Sequence, residues 1–391
     1  MPTDIRVLTE DDVERWTAVE RTAFMSPHDD SARYIAMMKP EWTLGAFEDG
    51  VLQAFVISAP MALGLEGARL RMGGVSSVAS MPEARRRGLI AALLRETLRR
   101  SREIGDVLSG LWTPHPALYR RYGWEICTDS INLRFNPKHI ELPQGPKPPG
   151  RVERLGADDW RFVEGSYREW AARRNSVLLR DEWRWRMIFL FPGRETFIYR
   201  GPDGRVEGHA LLRTTGSGDD RVLEVGELIA NTAPAYRALL ELLLSFDLVK
   251  TVTWWVGADE PVLEAVANPE QIKGERHYGL FVRLVDLAEA FSQRPAYADG
   301  RVVVRVVDEA CPWNDGVWEI VSAGAHFAVE RCSEEPMLTV DARGLAQLYN
   351  GYRSATNLAR AGRIEAHHPR ALAVADILLA MRTPPFCLDE F

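Results

Sequence analysis

Along the first third of the chain, apolar and polar positions alternate with two periods, and the switches between them mark out the elements. The pattern predicts a strand at Ile5–Leu8, a helix at Asp11–Phe24, and strands around Thr43–Phe47, Val51–Ser58 and Arg69–Ser77. From about Leu89 to Ile104 the period becomes helical. Leu89, Ile90, Leu93, Leu94, Thr97 and Leu98 fall on one face, with Arg95, Arg99 and Arg102 opposite. Val107–Trp112 is then a short apolar strand, and strands and helices mixed in this order predict an α/β domain.

The order partly repeats further on. Glu195–Arg200 and Val206–Thr214 flank Asp203-Gly204 as a hairpin, followed by strand Val222–Ile229, helix Ala233–Phe246 and strand Thr251–Val256. Where the first copy has R-R-R-G-L, the second has N-T-A-P-A-Y-R, so it is expected to be a degenerate structural copy that shapes a pocket. The remainder alternates strands (Arg301–Val307, Val317–Ser322, His326–Arg331, Met337–Asp341) with helices around Leu345–Tyr349 and Ala371–Met381, which suits a small α+β layer. Residues 136–151 hold five prolines and two glycines, which deny the segment a regular helix or a central strand. A softer break falls near Leu284–Arg294. The expected domains are therefore 1–150, 151–285 and 286–391, a division that 391 residues support at roughly 150 residues per domain.

Composition narrows the function classes. With 46% hydrophobic and 26% charged residues the chain is globular, and a net charge of −7 argues against broad binding to nucleic acid or anionic membranes. The start, M-P-T-D-I-R-V-L-T-E-D-D, shows no apolar leader, and no stretch has the length of a membrane span, so a cytoplasmic protein is expected. Cys127, Cys311, Cys332 and Cys387 are scattered without a C-x-x-C pair, which predicts reduced thiols and no metal centre.

The candidate chemistry lies between Val78 and Trp124. A strand ending at Val78–Ser80 turns through Pro82 into Arg85-Arg86-Arg87-Gly88 and a helix, so successive backbone N–H groups face outward at a helix N-terminus, where they suit a pyrophosphate. Gly88 permits close approach of the ligand, and Arg86 and Arg87 can add charge-assisted contacts. The loop is neither a Walker loop nor a G-x-G-x-x-G dinucleotide turn. About thirty residues on comes L-Y-R-R-Y-G-W, a Y-x-x-x-G-aromatic pattern.

This order of strand, R-x-x-G turn, helix, strand and Y-x-x-x-G resembles the GNAT superfamily of acetyl-CoA-dependent N-acetyltransferases; the usual R-x-x-G-x-[GA] departs only in having Ile90 at its last position. The resemblance implies that Val78, Ala79 and Ser80 hold the pantetheine arm and polarise the thioester. It places Arg86, Arg87, Gly88, Leu89, Ile90 and Ala91 on the pyrophosphate. Pro114 and His115 would line the acetyl channel, Tyr119 would protonate the departing thiolate, and Tyr122 would be a packing aromatic.

The sequence stops at P-P-F-C-L-D-E-F, an apolar last segment expected to dock rather than fray. A GNAT domain, a degenerate copy and an α+β domain ending in Phe resemble, over essentially the whole chain, the Eis (enhanced intracellular survival) family, whose third domain looks like sterol carrier protein 2. That family implies direct transfer in a ternary complex with no covalent nucleophile. It implies that the α-carboxylate of Phe391 accepts the amine proton, that Asp389 and Glu390 bind further ammonium groups, and that the protein is a homohexamer. An acidic cavity for a cationic acceptor (an aminoglycoside, a polyamine-like molecule or a lysine) is expected, with Asp29 and Asp30 as further cation contacts. The rival expectations are an acyl-CoA- or lipid-binding protein without catalysis, and a narrow protein-lysine acetyltransferase.

Overall fold

The computed structural model of the chain describes residues 3–156, 160–189 and 193–391. The side chain of Asp29, one of the expected cation contacts, lies outside the described residues, whereas Asp30 is exposed. Three sheets carry the fold. The first has eight strands: Asp4–Val7, Thr43–Glu48, Val51–Leu65, Ala68–Ser80, Leu108–Leu111, Phe281–Leu284 and Glu125–Ile126 in that spatial order, with Asn175–Leu178 paired to the long strand Val51–Leu65. The second has seven: Lys273–Tyr278, Asp129–Phe135, Thr251–Val256, Val222–Ala230, Val206–Thr215, Arg194–Arg200 and Arg151–Leu155. The third has five and is built on the parallel pair Gly300–Val307 and Leu338–Asp341.

The internal repeat is visible in the crossovers. Helix Leu89–Glu103 links the parallel strands Ala68–Ser80 and Leu108–Leu111, and helix Ala233–Leu244 links the parallel strands Val222–Ala230 and Thr251–Val256. The expected apolar face of the first helix is the buried one, with Leu93, Leu94 and Leu98 sealed in the core. Each fully buried leucine contributes about 1.5–3 kcal/mol relative to an exposed one, which is what holds a helix of this length on the sheet.

The two halves exchange strands, which the composition break at 136–151 does not announce. Asp129–Phe135 precedes that break yet pairs with Thr251–Val256 in the second sheet, while Phe281–Leu284 returns to lie between Leu108–Leu111 and Glu125–Ile126 in the first. Each exchanged strand covers a sheet edge that would otherwise expose unpaired N–H and C=O groups. Arg283, on the returning strand, forms a buried pair with Asp308 at 2.6 Å and packs over Gly123. Gly123 adopts φ 91°, and a Cβ there would come 2.8 Å from the Arg283 guanidinium, so only glycine fits this position.

Cys127, Cys311 and Cys387 are buried free thiols, and Cys332 is half-buried and free. Among the described residues no helix is long and apolar enough to cross a membrane.

Candidate active site

Strand Ala68–Ser80 is bent where the chemistry is expected. Phe55 pairs with Ala79 and Ile57 with Ser76, so three steps on one strand oppose two on the other; Ser77 absorbs the extra residue at φ 42°. The parallel pairing on its other side stops at Val75 opposite Leu111. Ser76 to Ser80 therefore run on with no strand partner on that side among the described residues, and their edge faces the gap between the splayed strands. Tyr34, on helix His28–Met37, ties the bulge down: Ser77 Oγ donates to its hydroxyl at 2.9 Å, and Ser76 Oγ lies 3.3 Å away. Val78, Ala79 and Ser80 are all on this open stretch, with Ala79 buried.

The loop that follows is shaped as an anion cradle. Arg86 adopts φ 62° and Gly88 φ 83°, and Gly88 caps the 15-residue helix Leu89–Glu103, its carbonyl accepting from Ala92 N at 3.0 Å. The N–H groups of Leu89, Ile90 and Ala91 lie in the first turn, where the helix supplies no acceptor, at the positive end of its dipole. A Cβ at Gly88 would meet nothing within 4 Å, so its backbone angle and an open approach require the glycine there, not crowding. The arginines divide their roles: Arg86 is exposed, whereas Arg87 is already paired with Glu48 at 2.8 Å.

Tyr119 sits in the short helix Pro116–Arg120, buried in an apolar cluster and edge-on to Trp124 with ring centroids 6.2 Å apart. Burial pushes its phenol up to about 12, and its hydroxyl has no hydrogen-bond partner among the described residues. It is thus a protonated, uncommitted donor. Tyr122 packs in the same cluster beneath the Arg95 guanidinium. His115 is exposed and caps the helix, its N–H donating to Thr113 Oγ1 at 2.9 Å.

Trp112, Thr113 and Pro114, the wall leading into that helix, line a cavity of about 1080 Å³ shared with the second sheet and with residues Phe386–Glu390. The last segment is docked, but as irregular chain: Phe386 N donates to Asn175 O at 3.0 Å, and the half-buried Phe391 ring packs against an apolar cluster that includes Leu63 and Met72. The tail is pinned by a buried network. Arg180 donates to Asp389 at 3.0 Å and also to Glu227, Arg184 donates to Asp389 at 3.0 Å, and Glu227 binds His209 Nε2, whose Nδ1 meets Ser166 Oγ at 2.7 Å. Arg180 is stacked 3.8 Å over Tyr167. Burial would push the Glu227 carboxyl up, yet Arg180 and the His209 hydrogen bond hold it down at about 2. Burial also weakens proton binding by Arg180, and Asp389 and Glu227 more than reverse that.

Two expectations change here. Asp389 is only 3% exposed and spent on two arginines, so its carboxylate is a structural anchor and not an open contact for a substrate ammonium; Glu390 is exposed and does line the cavity. Nor is the cavity acidic, because Arg180, Arg184, Arg194 and Arg213 face Glu224, Glu227, Asp389 and Glu390 in equal number. The reading from sequence missed Arg180, Arg184, Glu227 and His209. One signal was legible: Glu227 stands in the buried phase of its strand with Val225 and Ile229, where an unpaired charge is too costly to keep.

Comparison with known proteins agrees with this architecture in all three parts. Models described as acetyltransferase (GNAT) domains match residues 4–127 and 176–284, and one described as a sterol carrier protein domain matches 287–388. N-acetyltransferase Eis of Mycobacterium tuberculosis is 27% identical over 343 residues, covering 82% of this chain and 81% of its own. The chain is a GNAT N-acetyltransferase similar to Eis. An uncharacterized N-acetyltransferase of Streptomyces avermitilis is 29% identical over 412 residues, covering 99% of this chain and 98% of its own. The crystal structure of Eis1 from Mycobacterium abscessus superposes with a TM-score of 0.87 at 27% identity, each chain covered over 100% of its length. A GCN5-related N-acetyltransferase from Anabaena variabilis, also covered in full, reaches 0.92 at 18% identity and so shares the fold. The Eis-like architecture is thus a tandem of GNAT domains with a sterol-carrier-like third domain, and the protein is an N-acetyltransferase.

Proposed function

We propose that the protein transfers the acetyl group of acetyl-CoA directly to a primary amine within a ternary complex. The observation that carries this reading is the shared cavity: the wall leading to Tyr119 and the segment Phe386–Glu390 line one space, although they are remote in sequence. The bulged edge at Val78–Ser80 holds the pantetheine arm, and the N–H groups of Leu89, Ile90 and Ala91, with Gly88 and Arg86, hold the pyrophosphate. The amine nitrogen attacks the thioester carbonyl, the C–S bond breaks, and the thiolate takes the Tyr119 proton. The α-carboxylate of Phe391 accepts the proton that the amine loses. No covalent enzyme intermediate is required, because both reactants are held at once and proximity replaces a nucleophile.

Two experiments test this reading. Thiol release from acetyl-CoA is expected only when a primary amine is present, and its absence across a panel of diamines, aminoglycosides and lysine derivatives would overturn the function. Adding one glycine after Phe391 moves the carboxylate and leaves every side chain in place; a fall in kcat of at least tenfold is expected from the usual contribution of general bases, and unchanged turnover removes Phe391 from the mechanism. The cradle has its own check. Gly88→Val forces a β-branched residue to φ 83°, so KM for acetyl-CoA is expected to rise about tenfold while the melting temperature, read by calorimetry, moves by only a few degrees.

A further inference from the structure

The cavity charges are unevenly satisfied. Arg180 is paired with Glu227 and Asp389, Arg184 with Asp389, and Arg213 with Glu224 at 2.6 Å. Arg194 and Glu390 line the same space, and neither side chain has an ion-pair partner among the described residues. Arg194 opens strand Arg194–Arg200 directly opposite Arg213 in the antiparallel register, and Arg213 stands opposite Glu224 on the next strand. Residues opposite one another share a face of the sheet, and like charges in that relation repel. The row therefore runs Arg194, Arg213, Glu224, with the only carboxylate committed to the middle member and a bare guanidinium at the end.

Arg194 is exposed, and its guanidinium is open to solvent at the cavity. Desolvation by the nearby protein still pushes its pKa down; Glu227 opposes this, and Arg213, Arg180 and Arg184 add to it. Solvent screening lets the exposed guanidinium stand unpaired beside three others, so its planar donor fork is free to match a carboxylate or a phosphate. Glu390, at the other charge-bearing wall, suits an ammonium. Trp112, Trp255 and Tyr278 give the cavity an apolar lining as well.

Resting on the acetyltransfer reading above, we propose that the acceptor is an amine that also carries an anionic group, a carboxylate or a phosphate, which Arg194 binds while Glu390 receives the amine end. A polycation without an anion leaves Arg194 unmatched and meets one free carboxylate where it needs several.

The test uses amine pairs that differ only in the anion. Nα-acetyl-lysine and N-acetylcadaverine share chain and reactive amine and differ by one carboxylate; O-phosphoethanolamine and ethanolamine form the phosphate pair. In thiol-release assays the wild-type enzyme is expected to favour the anionic member of at least one pair by tenfold or more in kcat/KM, and the favoured pair identifies the anion. Arg194→Ala is expected to bring that ratio close to one, and Arg194→Lys to retain part of it. Equal kcat/KM within both wild-type pairs, a ratio unmoved by Arg194→Ala, or a higher kcat/KM for spermine than for every anionic amine overturns the proposal while leaving acetyltransfer intact. Failure of every amine to release thiol overturns the acetyltransfer reading itself.

Discussion

Replacing Tyr119 with Phe is expected to lower kcat about a hundred- to a thousandfold, with KM for acetyl-CoA nearly unchanged. The substitution removes one oxygen that has no protein partner and keeps the ring that packs edge-on to Trp124. Fold stability should therefore move by less than about 0.5 kcal/mol, and the whole effect falls on proton transfer, for which positioned acids contribute roughly 10²–10⁴ in rate. Burial holds the phenol at about 12, so the group stays protonated across the neutral and alkaline range, and the wild-type rate should not fall near pH 10 as it would with an ordinary phenol. A free thiol ionises near 8.5, which makes donation from such a phenol uphill in water. The same apolar surroundings that raise the phenol also destabilise the departing thiolate, so the gap narrows where the bond breaks. Steady-state kinetics on the variant decide the matter. Wild-type kcat, or a loss confined to acetyl-CoA affinity, would remove Tyr119 from proton transfer.

Arg180→Met is expected to cost about 3–5 kcal/mol of stability, the usual consequence of leaving buried carboxylates without their cation. Asp389 and Glu227 are both sealed from solvent, and Arg180 is the group that joins them. Arg184→Met should cost less, because it is the more exposed of the two and Asp389 retains Arg180. The effect has a pH signature. Glu227 is held at about 2 in the folded protein, below its ordinary 4.5, so its pairing stabilises the fold above about pH 4.5 and that contribution is lost as pH falls towards 2. In Arg180→Met the Glu227 carboxyl can take up a proton earlier, so denaturation curves of the two proteins should differ most near pH 7 and converge below about pH 4.5. A constant difference across that range would mean that lost packing on Tyr167 and Trp185 dominates, since Arg180 stacks on both rings.

Much of the site's backbone was legible because its determinants are local. The arginine-rich turn, Gly88 and the amphipathic helix lie within a few residues of one another, and the helix period alone buries Leu93, Leu94 and Leu98 while leaving the first N–H groups open. The Y-x-x-x-G pattern likewise marks a short helix ended by a glycine, and Gly123 does adopt the left-handed angle. Strand ownership was not legible. Alternation says that Asp129–Phe135 is a strand, yet it carries no label for its neighbour, and the exchange with Phe281–Leu284 is chosen by which sheet edge lies open.

By itself, then, the sequence determined the periods, the turns and the identity of the groups that can move protons or bind phosphates, since these depend on backbone angles and side-chain chemistry over short spans. Only the tertiary structure decided which charges stay available. Asp389 reads as an open acid in a D-E-F tail, but its neighbours in space are Arg180 and Arg184, more than 200 positions away, and burial commits it to them. Arg194 reads as one arginine among many until the register sets it opposite Arg213 with the carboxylate already taken. A charge is defined by composition, whereas its availability depends on what folding places within a few ångströms of it.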